Sequence, residues 1–446
     1  ERYSKMDKYL SNAKNMLDFI KKSPSCYHVI DNFKTMLDNK GFCELKENRL
    51  WNIKEGNGYY TVRGDSSIIA FYIPCKDYSN YQICASHSDS PSFKIKENPE
   101  MLTDGHYVEL NVEKYGGMIF APWFDRPLSI AGRVVVNDTD TDSLSVRLVN
   151  VDRDLVMIPN VAIHMNRDVN AGYKYSAQKD MLPILGEETA KGRLNEIIAE
   201  SAGVSVQNIA GMDMFLYNRV SPAIWGADNE FISSTKLDDL ECAYTTMTGF
   251  IDSIGNNNKS VSVCCVFDNE EVGSTTKQGA DSTMLSDVLE RINESCNRTR
   301  QQYMMAIADS FMVSADNAHA VHPHHQDKAD PTNRPYMNRG IVIKYNANQK
   351  YTTDSISASI FKKICQKSGV PIQSYINNSD IAGGSTLGNI ANTHVSLNTV
   401  DVGLAQLAMH SPYETAGIKD VTYMIKAVKE FYSTHIYAEN DFYKFI

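Results

Sequence analysis

The nine cysteines of this 446-residue chain form no Cys-x-x-Cys pair; they are odd in number and scattered, and only Cys264 and Cys265 are adjacent. That pattern excludes a secreted disulfide framework and leaves reduced thiols. No apolar run approaches the roughly 18 to 20 residues of a membrane span, and the opening stretch Glu1 to Leu10 lacks an apolar signal core. The expectation is a soluble, cytoplasmic protein, with the absent initiator Met leaving room for a segment removed earlier. Positive charge is also in deficit. The 44 Lys+Arg against 54 Asp+Glu give a net charge of −10, which repels phosphate backbones and acidic membranes alike. Neither nucleic acid nor a membrane is an expected partner. There is no Gly-x-Ser-x-Gly elbow and no catalytic cysteine setting. Gly383-Gly384-Ser385-Thr386 lacks the lysine and the strand-to-helix setting of a phosphate loop.

What is present is ordinary globular composition, 42% hydrophobic and 22% charged, without internal repeats or long low-complexity tracts. At roughly 100 to 200 residues per domain, the length predicts two or three domains. Met6, Leu10, Ala13, Leu17 and Ile20 recur at helical spacing, ending before Ser23-Pro24-Ser25. Residues 68–73 and 81–85 read as strands. From about 94 to 235 short strand-like pieces alternate with Asn, Asp, Gly and Pro turns, and one clear helix around Leu194, Ile197 and Ile198 closes at Gly203. This is a mostly β module. After 235 the pattern alternates: helices along 240–254, 284–292, 356–364 and 418–428, and strands at 261–267, 303–308, 340–345, 372–376 and 395–400, with Asn256-Asn257-Asn258 as a loop. Such alternation is α/β architecture.

Several candidate chemical groups lie just past apolar runs. His87 and Asp89 follow a strand. Glu270 and Glu271, in Phe267-Asp268-Asn269-Glu270-Glu271-Val272-Gly273, leave another, and adjacent side chains can share one site only if the backbone turns there. Gly273 suits such a turn, and the carboxyl ends of strands are where open α/β sheets bind ligands. Asp238, Asp316 and His410 hold equivalent places. Singly each has a bland reading: helix cap, Asx-turn, core histidine. Together His87, Asp238, Glu271, Asp316 and His410 resemble the hard-ligand set of a two-metal hydrolase. Five side chains give each of two ions three protein ligands only if one carboxylate bridges, and Glu270 is left free as a base. His319, His322, His324 and His325 read as a histidine-rich loop beside the site rather than as a metal tract.

Six strings, His87-Ser88-Asp89-Ser90-Pro91, Trp123-Phe124-Asp125-Arg126, Ile158 to His164, Phe267 to Ser274, Ser314 to Pro323 and Met409-His410-Ser411, resemble the aspartyl aminopeptidases, in order and over nearly the whole chain. The resemblance implies an α/β fold: a mixed-sheet metallopeptidase domain flanked by helices (1–93 and 236–446), interrupted by a mostly β oligomerisation domain (94–235). It implies two divalent ions per subunit, zinc with cobalt or manganese as alternatives. His87, Asp238 and Asp316 would hold one, and Asp238, Glu271 and His410 the other, with Asp238 bridging. Asp89 would orient His87, Glu270 would be the general base, and Lys344 would meet an acidic side chain of the substrate's first residue. His164 would reach a neighbouring subunit's site and support the oxyanion. The implied assembly is a homododecamer built from dimers, and the implied reaction removes N-terminal Asp or Glu from peptides. Two rivals are a dinuclear aminopeptidase of broad or neutral preference and a catalytically silent assembly shell. The family usually has Asn where this chain has Asp239.

Overall fold

The computed structural model describes residues 2–256, 259–439 and 442–446. Its centre is a nine-stranded mixed sheet in the order Cys43–Glu44, Asn57–Arg63, Ser67–Ile73, Ser260–Phe267, Asn80–His87, Phe311–Ala315, Asn398–Gly403, Ile341–Tyr345 and Ile372–Ile376. The three middle strands, Ser260–Phe267, Asn80–His87 and Phe311–Ala315, run parallel to one another and are buried along their whole length. That burial explains why they read as near-continuous apolar runs rather than as alternating ones.

Strand alternation divides the core into two layers. Cys264, Val266, Cys84, Val313 and Val402 face the helices Arg2–Lys21, Cys26–Asp38, Leu237–Asp252, Ser355–Ser368 and Ile418–Ser433. Val263, Cys265, Phe267, Ile83 and Met312 face Met284–Ser295, Arg300–Ala308 and Leu387–Ala391. Burying each of these larger apolar side chains contributes roughly 1.5–3 kcal/mol before the entropy of ordering is subtracted. All nine cysteines are free.

A second, six-stranded sheet runs Ser143–Asn150, Leu128–Asp138, Ile209–Asn218, Ser92–Thr103, Tyr107–Tyr115, Ile184–Glu187, antiparallel throughout. It has its own core, in which Leu194 and Ile198 of the helix Arg193–Ala202 pack with Phe93, Trp123, Ile130 and Met214. That helix ends where Gly203 takes a left-handed φ of 68°. A five-stranded sheet joins Ala223–Trp225 and Phe231–Ser234 to Glu414–Gly417, Ala405–Leu407 and Ala318–His319. No helix of the described residues is long and apolar enough to cross a membrane.

Two sequence expectations change, and one helix is added. Residues 303–308, expected as a strand, lie in the helix Arg300–Ala308, because Thr299 and Gln302 form a reciprocal capping box that starts a helix in this short apolar run. The strand expected at 395–400 runs Asn398–Gly403, since Val395 still belongs to the turn that follows Leu387–Ala391. The helix Cys26–Asp38 was not anticipated, although Tyr27, Ile30, Phe33 and Leu37 form its buried stripe. Asn257 and Asn258, expected in a loop with Asn256, lie outside the described residues.

Candidate metal centre

The parallel middle strands bring their carboxyl ends to one edge of the sheet. Register pairs Phe267 with His87 and Ser314 with Ala85, so His87, the turn after Phe267 and Asp316 emerge side by side. After Phe267 the chain passes through left-handed Asn269 (φ 60°), one short turn of helix Glu270–Val272 and left-handed Gly273 (φ 103°). This is the bend that allows two adjacent glutamates to enter one site. The other two groups arrive through the five-stranded sheet, where Phe231–Ser234 pairs with Glu414–Gly417. The first strand leads into Asp238, and His410 lies four residues before the second.

Three groups of side chains converge with ligand-type atoms within 4.8 Å of one another: His87, Asp238, Asp239 and Asp316; His87, Glu270 and Glu271; Asp238, Glu271 and His410. His87 Nδ1 faces two oxygens of Asp89, the carbonyl at 3.1 Å and Oδ1 at 3.2 Å, so it carries hydrogen and leaves Nε2 toward the carboxylates. Nε2 lies 3.4 Å from Asp238 Oδ1, 3.7 Å from Glu270 Oε2 and 3.8 Å from Asp316 Oδ1. On the far side His410 Nε2 lies 3.2 Å from Asp238 Oδ2 and 3.3 Å from Glu271 Oε2. Asp238 thus turns one oxygen to each histidine.

Asp89 does more than orient the imidazole. Its Oδ1 accepts the Glu270 amide at 3.2 Å, and its Oδ2 accepts the Glu271 amide at 3.1 Å and the Tyr115 hydroxyl at 2.7 Å. One buried carboxylate fixes the acidic turn against the histidine. Thr386 Oγ1 donates to Asp316 Oδ2 at 2.8 Å. Lys344 is 2% exposed; its ammonium donates to the Asp316 carbonyl at 2.7 Å and lies 5.1 Å from the centre of the Tyr351 ring.

So many carboxylates in one buried place repel each other. Burial pushes the Glu270 carboxyl up to about 8, with Asp316, Asp238 and Asp89 adding to the rise and His87 opposing it. Burial, then Asp238 and Glu270, holds Glu271 well above its usual range. Burial alone would lower His87, yet Asp239, Glu270, Asp238 and Asp316 outweigh it and raise the imidazole. For Asp238, burial is outweighed by His410 and His87, which hold the carboxyl low. The centre demands positive charge.

The donor set fits divalent metal. His87 Nε2, Asp238 Oδ1 and Glu271 Oε1 are buried without a hydrogen-bond partner, a costly state for polar atoms unless a cation satisfies them. Imidazole and carboxylate are zinc-type ligands. Beside the cluster lies a cavity of about 400 Å³ whose lining includes Lys344, Tyr351, Tyr375 and His319.

His164 stands apart. It is exposed in the stretch that holds Val161, Ile163 and Met165, themselves 51%, 47% and 78% exposed, and belongs to none of the converging groups of the described residues. The base of this loop is tied down by Asp125, which accepts the Asn160 amide at 2.9 Å and its side-chain N–H at 3.1 Å. Two of the sequence motifs are therefore one structural unit. The His322 ring lies 5.6 Å from that of His324 and 5.0 Å from that of His325, outside the converging groups of the described residues, whereas His319 lines the cavity.

The sequence reading missed Glu414 and the place of Asp239. Asp239 is fully buried and accepts the His87 amide through Oδ2 at 3.1 Å. Glu414 accepts the amides of Asp238 and His410, and burial pushes its carboxyl up to about 8. No residue type or spacing marks Glu414 in the sequence, because both of its partners are main-chain amides.

The family model described as aminopeptidase I zinc metalloprotease (M18) matches residues 19–432. A probable M18 family aminopeptidase 2 of Clostridium novyi is 46% identical over 427 residues, covering 94% of this chain and 98% of the relative. An aspartyl aminopeptidase of Dictyostelium discoideum is 34% identical over 472 residues, covering 96% and 97%. Among solved structures, that of the Ape4 and Nbr1 complex superposes with a TM-score of 0.92 at 34% identity, covering 96% of this chain and 86% of that one. The S. cerevisiae mApe1 dodecamer gives a TM-score of 0.83 at 26% identity, covering 94% and 96%.

Proposed function

Since the chain belongs to the M18 family of zinc aminopeptidases, we propose that it removes N-terminal Asp or Glu from peptides at a centre for two divalent ions, zinc first. The observation that carries the reading is Asp238, with one oxygen directed to His87 and the other to His410. His87, Asp238 and Asp316 would hold one ion, and Asp238, Glu271 and His410 the other. Such a pair supplies Lewis acidity toward the scissile carbonyl and lowers the pKa of water. The chain's own residues do the rest. Glu270, anchored by its amide on Asp89, accepts a proton from the attacking water and delivers it to the leaving amine. Asp89 keeps His87 Nε2 aimed at the cluster.

Acid preference is supported by Lys344. It lines the same cavity, and of its three N–H groups one meets the Asp316 carbonyl at 2.7 Å and a second makes a longer contact, 3.5 Å, to the Asn317 carbonyl. Burial would lower its pKa, but Asp316, Tyr351 and Asp401 outweigh that and keep it cationic. The aspartyl aminopeptidase among the relatives points the same way. We further propose that residues 94–235 form the oligomerisation domain of a homododecamer built from dimers, in which His164 enters the neighbouring subunit's site and supports the oxyanion. The exposed apolar side chains around His164 and the likeness to a dodecameric enzyme support this. The test is a set of peptides differing only in the first residue, assayed with zinc-loaded enzyme. Asp and Glu should exceed Leu and Ala in kcat/KM by at least about tenfold; equal values would favour the broad-specificity rival.

A further inference from the structure

Glu414 is 2% exposed, and a buried carboxylate outside the reacting set needs compensation. It sits at the last register pair of the ladder between Phe231–Ser234 and Glu414–Gly417, opposite Ser234. From that ladder end one strand continues toward Asp238, and the other is entered from His410. Glu414 Oε2 accepts the Asp238 amide at 2.9 Å and Oε1 accepts the His410 amide at 2.8 Å. The main chain cannot serve either amide. Asp238, with φ −85° and ψ 107°, stands outside helical conformation at the head of the helix Leu237–Asp252, so no intrahelical acceptor meets its amide. His410 sits in the left-handed region, with φ 69°, which holds its amide out of the adjoining strands.

We propose that Glu414 is the positioning residue of the second ion's ligands: by gripping both main-chain amides with one carboxylate, it sets the separation of Asp238 and His410. The inference rests on the two-ion reading. It assigns Glu414 the larger effect on the ion between Asp238 and His410, because two of that ion's three ligands hang on Glu414, whereas the other ion shares only Asp238 with it and its His87 and Asp316 are held by different partners, Asp89 and Thr386. The choice of glutamate follows from donor chemistry. A glutamine of the same shape keeps one accepting oxygen but turns an NH₂ group toward the second N–H, so one anchor is lost.

The test uses the full chain loaded with zinc alone. In Glu414→Gln, chelator competition should show one ion per subunit bound about 10- to 100-fold more weakly, the usual effect of removing an outer partner of a ligand, and the other ion, which shares only Asp238, weakened several-fold less. Excess zinc should restore full occupancy. In a His410→Ala background, Glu414→Gln should add less loss than it causes in the parent, since the part of its effect that runs through His410 is already gone. If Glu414→Gln does not fold by circular dichroism, Glu414→Asp, whose shorter arm cannot span both amides, is read in the same way. The proposal is overturned if a folded variant binds both ions as the parent does, or if both affinities fall equally, as for a carboxylate that only stabilises the fold. A parent holding fewer than two ions would defeat the two-ion reading itself and this proposal with it.

Discussion

Glu270→Gln separates proton transfer from metal binding and folding. The Glu270 side chain is 13% exposed, and its Oε2 stands 3.7 Å from His87 Nε2, beside the cluster. Its amide is fixed on Asp89 Oδ1 at 3.2 Å, a bond that the substitution leaves untouched. Glutamine keeps the volume and one oxygen but cannot accept a proton. General acid–base catalysis contributes about 10² to 10⁴ in rate, or roughly 2.7–5.4 kcal/mol at 1.36 kcal/mol per decade. The variant should therefore lose that factor in kcat on an Asp-initiated peptide while retaining the parent's zinc content. A second readout follows from the electrostatics. The Glu270 carboxyl is raised by burial from 4.5 to about 8 in the metal-free fold, so its ionisation costs stability progressively as pH rises through that window. Glutamine removes the cost. The metal-free variant should melt higher than the metal-free parent at pH 8, and the gap should close toward pH 4.5. A variant that holds zinc normally and turns over within a few-fold of the parent would refute Glu270 as the base.

Asp238→Asn should abolish tight binding of at least one ion and reduce turnover more than about 10³-fold, because an amide offers one oxygen where two are used; Asp239→Asn, which keeps an oxygen for the His87 amide, should stay within about tenfold. Metal content and kcat of the two variants check both halves. Lys344→Leu should lower kcat/KM for Asp and Glu by about 30-fold or more, since losing one partner of a buried charge pair costs about 2–5 kcal/mol, and should change neutral residues far less; a residue panel reads the difference. Glu270→Gln and His164→Phe should each be nearly inactive alone, yet recover activity when co-expressed, because a mixed dimer rebuilds one site from the first variant's His164 and the second's Glu270. Tagged mixed oligomers that stay inactive would place His164 outside catalysis.

How much of this was legible in the sequence follows from chain geometry. His87 and Asp316 end buried parallel strands, so an apolar run followed by a polar donor marked both. Glu270 and Glu271 were marked by the glycine that ends their turn. The helix Arg300–Ala308 was misread because a short apolar stretch suits a strand as well as a helix, and the deciding side chain, Thr299, lies just before it. Glu414 was not legible because its partners are main-chain amides 176 and four residues away, brought together by strand pairing alone. His164 was visible only through the family resemblance, since within one subunit it joins no converging group of the described residues.

The most direct measurement of the central claim is turnover of an Asp-initiated peptide during stepwise zinc return to exhaustively chelated protein. The account predicts negligible turnover at zero metal, and full activity as occupancy reaches two ions per subunit. Full turnover by the chelated protein would contradict it.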